Sequence, residues 1–254
     1  MARPSLSGNP PSLRLSAPFA SLSLRSPVTP SDQLQVAVDV VCDPGSTDAL
    51  RKEALAKIRK LADKMDEGSM IRAQGLVDAL VIGLRSWKTE VEFLYAIYVV
   101  QHLVKKDETA AVVLQNEEVL GLIAGVLKPS LALPYSDSAK LAVGRCLSTL
   151  ETLSSEHEMS GGMLIRADVI ECIEAALSYP FMPEAECALR IYHGILKITA
   201  GEIGSSKSQG VATEAAVRAV KKLAQSPKAS KTVGPLCDSV LELLEVRVRL
   251  GSSV

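Results

Sequence analysis

The sequence predicts an all-α fold, a right-handed α-solenoid of about four stacked helical repeats. Three observations carry that prediction. A helical segment recurs four times, as RKEALAKIRKLAD (51–63), FLYAIYVVQHLVK (93–105), GRCLSTLETLSSE (144–156) and LRIYHGILKITAG (189–201). Aligned on the polar residue near its end (Lys60, His102, Thr152, Lys197), the copies stand 42, 50 and 45 residues apart. Periods of roughly 40–47 residues belong to helical repeat arrays. Finally, hydrophobic residues make up 47% of the chain and aromatic ones only 4%. Ala, Leu, Val and Ile therefore do the packing, which suits closely packed helices better than a β-sandwich.

Residues 1–31 hold eight Ser, six Pro and three Arg, with no acidic residue. Pro removes backbone donors and Ser favours turns, so a disordered tail is expected. The Arg- and Ser-rich composition also suits a transit peptide, although the proline density works against an amphipathic targeting helix. Ser26-Pro27 and Thr29-Pro30 have the form of proline-directed phosphorylation sites.

The helical array is expected over 32–254. Ser31-Asp32 reads as an N-cap ahead of Leu34, Val38 and Val41 at helical spacing. Pro44-Gly45 ends that helix. Thr47 and Asp48 start the next, with Leu50, Ala54, Ile58 and Leu61 as its buried stripe. After a break at Gly68-Ser69, a two-part rhythm follows. A shorter helix at 70–84 precedes a long one at about 90–105. The order returns as 113–127, a loop with Pro129 and Pro134, and a helix at about 137–153. It returns again as 164–177, a turn at Pro180 and Pro183, and a helix at about 184–199. Leu84, Leu127 and Leu177 close the shorter helices, 43 and 50 residues apart. The repeats are thus about 32–66, 67–107, 108–156 and 157–201. A Gly/Ser-rich loop (201–210) leads to two helices, about 211–224 and 235–250, expected to cap the array over 211–250.

The passage IRAQGLVDALVIGL (71–84) resembles the second helix of an armadillo repeat, with its Gly ahead of an apolar run. The following AIYVVQHLV (96–104) resembles the third helix, in which Ala and Leu pack inward and Asn often stands near the end. The resemblance covers about residues 48–200. It implies three-helix repeats whose long third helices lie side by side on a concave face, so that a groove position recurs down the array. The nuclear-import adaptors of this superfamily present Trp and Asn one turn apart. Here those positions read Ala56/Lys60, Tyr98/His102, Ser148/Thr152 and His193/Lys197, which argues against their basic cargo peptides.

The function expected is a non-catalytic scaffold or adaptor that binds an extended or helical segment of another protein. Lys60, Tyr98, His102, Ser148, Thr152, His193 and Lys197 are the candidate groove residues. Tyr98 offers a flat amphipathic contact, and the two lysines suit acidic side chains. Two alternatives stay open: a chaperone cofactor clasping a partner domain, and a helical enzyme using, for example, His157 with a nearby Glu or Cys.

A net charge of −1 provides no basic footprint for nucleic acid. Five widely spaced cysteines (Cys42, Cys146, Cys172, Cys187, Cys237) form no CxxC or Cys/His cluster, so no metal and no cofactor are expected. They read as reduced thiols of the cytoplasm or nucleus, with organelle targeting by the tail left open. No apolar run reaches the roughly 18–20 residues of a membrane span. No GxxxxGK[ST] or GxGxxG loop is present. Ser160-Gly161-Gly162 lacks the strand of a nucleophile elbow. EVEF (90–93) reads as a solvated helix end, and Glu117-Glu118 as a helix start favoured by the macrodipole.

Overall fold

The computed structural model describes residues 29–86, 91–132, 137–156, 162–178, 182–199, 213–226, 231 and 233–251. The expected tail as far as residue 28, the Gly/Ser-rich loop at 201–210, Trp87 and His157 lie outside the described residues. The helices are α1 (Pro30–Cys42), α2 (Asp48–Ala62), α3 (Glu67–Met70), α4 (Leu76–Arg85), α5 (Val91–Leu103), α6 (Asp107–Leu114), α7 (Glu118–Ala132), α8 (Asp137–Glu156), α9 (Ala167–Leu177), α10 (Met182–Ile198), α11 (Glu214–Ala224) and α12 (Val233–Gly251). A 3-10 turn, Gly162–Leu164, precedes α9.

These helices stack in two layers. In the first, α1 packs on α4, α4 on α7, α7 on α9 and α9 on α11. In the second, α2 packs on α5, α5 on α8, α8 on α10 and α10 on α12. Within each repeat the two layers are joined as hairpins: α1 with α2, α4 with α5, α7 with α8, α9 with α10, and α11 with α12. The result is an all-α solenoid. One core runs between the layers from Leu34 through Leu80, Ile97, Leu127, Leu147, Ile173 and Ile195 to Leu244. Leu84, Leu127 and Leu177 all lie in it.

Local chemistry moves several expected boundaries. The first helix is capped by Thr29, not by Ser31-Asp32. The Thr29 hydroxyl accepts from the Asp32 amide at 3.2 Å, and the Asp32 carboxylate accepts from the Thr29 amide at 3.0 Å. Pro30 at the first helical position has no N–H to leave unpaired and a φ already helical. The helix expected over 70–84 is two elements, because Gly75 takes φ 79°, a conformation that only glycine adopts cheaply. The helix expected over 113–127 likewise divides into α6 and α7, bent by 83° at the break between them. Pro129 lies in the last turn of α7, inside a helix that continues to Ala132, while Pro134 of the expected loop lies outside the described residues.

Two burial expectations also fail. Leu50 is 42% exposed, beside Val36 and Val40 in a shallow cleft at the α1–α2 end of the stack. Glu92 and Phe93, read as a solvated helix end, are buried, because α5 begins at Val91 and its first turn is already inside the stack. Among the described residues no single helix is long and apolar enough to cross a membrane. The bent α6–α7 pair passes that test by length and composition, but its Val113, Leu114, Ile123 and Leu127 are core residues.

Candidate protein-binding face

The second layer carries the candidate site, and a polar rung joins each successive pair of its helices. Between α2 and α5, the Tyr98 hydroxyl donates to Asp63 Oδ1 at 2.5 Å. The Tyr98 ring lies under two guanidinium groups, Arg59 of α2 at 4.8 Å and Arg145 of α8 at 5.4 Å. A phenol donating to a carboxylate gives up its proton less readily, and Tyr98 titrates above its ordinary value, chiefly through Asp63. Between α5 and α8, Gln101 donates to Ser148 Oγ at 2.8 Å and accepts from Arg145 at 2.9 Å. Between α8 and α10, Glu151 accepts from Arg190 and, at 3.1 Å, from the Cys187 thiol. Between α10 and α12, His193 Nε2 meets Ser239 Oγ at 3.1 Å.

The seven residues singled out from sequence stand on α2, α5, α8 and α10 of this one layer. Lys60 and Lys197 are exposed, whereas Tyr98, His102, Ser148, Thr152 and His193 are half-buried. His102 turns toward the α2–α3 connection, where its Nε2 meets the Met65 carbonyl at 3.2 Å and lies 3.9 Å from Glu67. Lys106 binds that same Glu67 at 3.0 Å. The Thr152 hydroxyl donates to the Ser148 carbonyl one turn back on its own helix. Tyr98, Ser148 and His193 each make one side of a link between helices, and the residues that complete the links are ones sequence reasoning passed over: Arg59, Asp63, Gln101, Arg145, Glu151, Arg190 and Ser239. Only the position of Arg145, three residues before Ser148 on the same helical face, offered a signal.

One pocket opens on this layer between α8 and α10. It has a volume of about 530 Å³, and Lys140, Leu141, Gly144, Arg145, Ser148 and Glu184 line it. Reactive groups are poorly served nearby. Burial, reinforced by Glu151, pushes the Cys187 thiol far up, and burial does the same to Cys146. Both therefore stay protonated at neutral pH, the form that is neither nucleophile nor ligand. Among the described residues no group of three or more His, Cys, Asp or Glu is arranged to hold a metal ion.

No protein-family model matches the sequence, and no curated protein matches it. Solved structures do match the fold. A designed armadillo repeat protein in complex with the peptide (KR)4 superposes with a TM-score of 0.60 at 18% identity, over 83% of this chain and 81% of that one. Computationally designed armadillo repeat proteins for modular peptide recognition match with a TM-score of 0.61 at 18% identity, over the same shares of both chains. The fold is an armadillo-like repeat array. An engineered protein matches equally well, with a TM-score of 0.61 at 16% identity, over 84% of this chain and 81% of that one. At such identities the likeness concerns the fold alone. In an armadillo-like array α2, α5, α8, α10 and α12 are the third helices, and α1, α4, α7, α9 and α11 are the second.

Proposed function

We propose that this chain is a non-catalytic protein-binding scaffold whose third-helix layer holds an extended or helical segment of a partner protein. One observation carries the reading: the layer is continuous over five helices and is laced with polar rungs from Asp63 to Ser239, half-buried from Gln101 onward. Rungs of this kind hold side chains in fixed positions before a partner arrives, which lowers the entropy cost of binding. The designed armadillo proteins support the same use of the fold, one being in complex with a peptide and others built for peptide recognition. The absence of a Trp/Asn ladder separates this layer from the one that takes basic import signals. Five free thiols, four of them buried, support the cytoplasm or nucleus as the place of that work.

Photo-crosslinking tests the proposal. A benzophenone amino acid is placed at exposed Lys60 or Lys197 on the third-helix layer, and at exposed Lys222 of α11 on the opposite layer. The expected outcome is one partner captured from both Lys60 and Lys197 and not from Lys222. Capture from Lys222 alone would sink the reading.

A further inference from the structure

We infer that the α1–α2 end of the stack is a two-fold interface with a second copy of this chain. The inference goes beyond the peptide-binding reading and does not depend on it. It begins with a contrast between the two ends of the array. The last hairpin, α11 and α12, exposes Arg218, Lys221, Lys222, Asp238 and Glu242 and, among its described residues, no large hydrophobic side chain. A polar terminal repeat of this kind is how a solenoid shields its core from water. The first hairpin does the opposite. Leu50 of α2 is 42% exposed and Val36 of α1 36%, and both line one cleft with Val40 and Ala54. That cleft holds about 90 Å³, far below the roughly 300–1,000 Å³ of small-molecule pockets. What covers it is therefore a protein surface and not a small ligand.

Charge decides which surface. Glu53 and Lys57 of α2 line the same cleft. Both are exposed, and neither has an ion-pair or hydrogen-bond partner among the described residues. The occupant must answer a carboxylate and an ammonium that stand one helical turn apart. The chain ahead of Thr29 carries three Arg and no acidic residue, so it suits Glu53 but not Lys57. A second copy suits both. Across a two-fold axis residue i meets j while j meets i. An antiparallel crossing of α2 on its copy thus sets Glu53 of each chain against Lys57 of the other. Ala54 lies between them, and its small side chain lets the two helices approach. Val36 and Leu50 flank the crossing and are covered by it. Each copy uses its single apolar end, so assembly stops at two chains.

Sedimentation equilibrium of the full chain tests this. Wild type is expected to show a monomer–dimer equilibrium with no larger species. Glu53→Lys turns both opposite-charge pairs into like-charge pairs and should weaken the dimer about tenfold or more. Lys57→Glu should do the same. Mixed in equal amounts, these two variants should associate as tightly as wild type, because their heterodimer restores both opposite-charge pairs. Leu50→Ser should also weaken the dimer with helical content unchanged, since Leu50 lies outside the core. Lys222→Glu, at the other end, should leave the dimer intact. A wild type that is monomeric at every concentration, or that grows past the dimer, overturns the inference. So does a mixture of the charge variants no tighter than either alone, the result if Glu53 and Lys57 serve only their own helix. A dimer weakened by Lys222→Glu but not by Glu53→Lys lies elsewhere and overturns it as well.

Discussion

The two layers are stitched by the same device in different materials. In the first layer most side-chain rungs are exposed, with the Thr213–Glu174 pair half-buried and the Cys172 thiol of α9 donating to the buried Ala124 carbonyl of α7 at 3.4 Å. Gln35 exchanges two hydrogen bonds with Gln74 at the start of the α4 turn, at 3.1 and 3.0 Å. Arg85 of α4 forks onto Glu118 of α7 with both contacts at 2.7 Å. Lys128 meets Glu171 at 3.1 Å, and Thr213, ahead of α11, donates to Glu174 at 2.6 Å. In the second layer the rungs are largely half-buried and use a phenol, an amide, an imidazole and a thiol. Exposed ion pairs add little to stability because water screens both partners. Half-buried rungs hold their side chains against both solvent and thermal motion. The difference teaches that one layer holds the stack in register, while the other also presents an ordered polar surface.

The largest way to break the second layer lies under its rungs. A Cβ on Gly194 of α10 would stand 2.6 Å from the Ser154 carbonyl oxygen and 3.0 Å from Ser154 Cβ on α8. Backbone cannot swing aside as a long side chain can. Gly194→Ala should therefore drive α8 and α10 apart and destabilise the fold by about 3 kcal/mol, read as a lower denaturation midpoint. Gly144, fifty residues earlier in sequence and on the neighbouring helix, is the control. Its Cβ has open space, so Gly144→Ala should stabilise by about 1 kcal/mol through helix propensity. If both substitutions act alike, close approach of α8 and α10 is not what Gly194 provides.

A smaller effect separates the rungs themselves. Tyr98→Ala removes one hydrogen bond to Asp63 and two cation–π contacts, and should cost about 2 kcal/mol. Tyr98→Phe keeps the ring between Arg59 and Arg145, and should cost about half as much. Arg85→Ala cuts the two-pronged rung of the first layer, yet both partners are well exposed, at 57% and 42%. Its denaturation midpoint should match that of the wild type. An Arg85 effect as large as that of Tyr98→Ala would erase the distinction between the layers. Because Tyr98 and His102 both anchor neighbouring elements, replacing them together by Ala should lower stability as well as binding. Exposed Lys60 and Lys197 are the cleaner positions for a binding test.

The fold was legible because solenoid packing is periodic. Ala54, Ile58 and Leu61 in α2 follow helical spacing, Leu84, Leu127 and Leu177 close successive second helices, and all six are buried as those patterns predict. Breaks inside apolar runs were not legible. The apolar pattern continues across Gly75 and across 115–117, so periodicity shows one helix where backbone conformation makes two. The rungs were hidden for another reason. Gln101 and Ser148 are 47 residues apart, and Asp63 and Tyr98 are 35 apart. A spacing near the repeat period shows which helices are neighbours but not which side chains meet. Glu184 and Glu92 were missed because an acidic residue in a first helical turn suits the macrodipole wherever it points, and only packing reveals that these two are buried.

The smallest expected effect sharpens the comparison at the α10–α12 rung. His193 titrates below its ordinary value of 6.5, first because it is partly buried and second because Lys197 is near. Both causes disfavour the imidazolium in the folded state. As pH falls through about 6.5, the unfolded chain takes up a proton that folded His193 still refuses, so the unfolded state gains. The His193 contribution to stability is therefore complete above the unfolded value. It shrinks as pH falls from there to the folded value, and stays constant below that. The denaturation midpoint of wild type, followed from about pH 7.5 to about pH 5, should fall more steeply than that of His193→Gln. The other histidines titrate in both proteins and cancel in the difference. The His193 contact with Ser239 Oγ bridges α10 and α12, so the excess slope reports on that rung. Parallel midpoint curves would mean that His193 is as solvated as a first-layer residue, and that the second layer's ordering stops at α10.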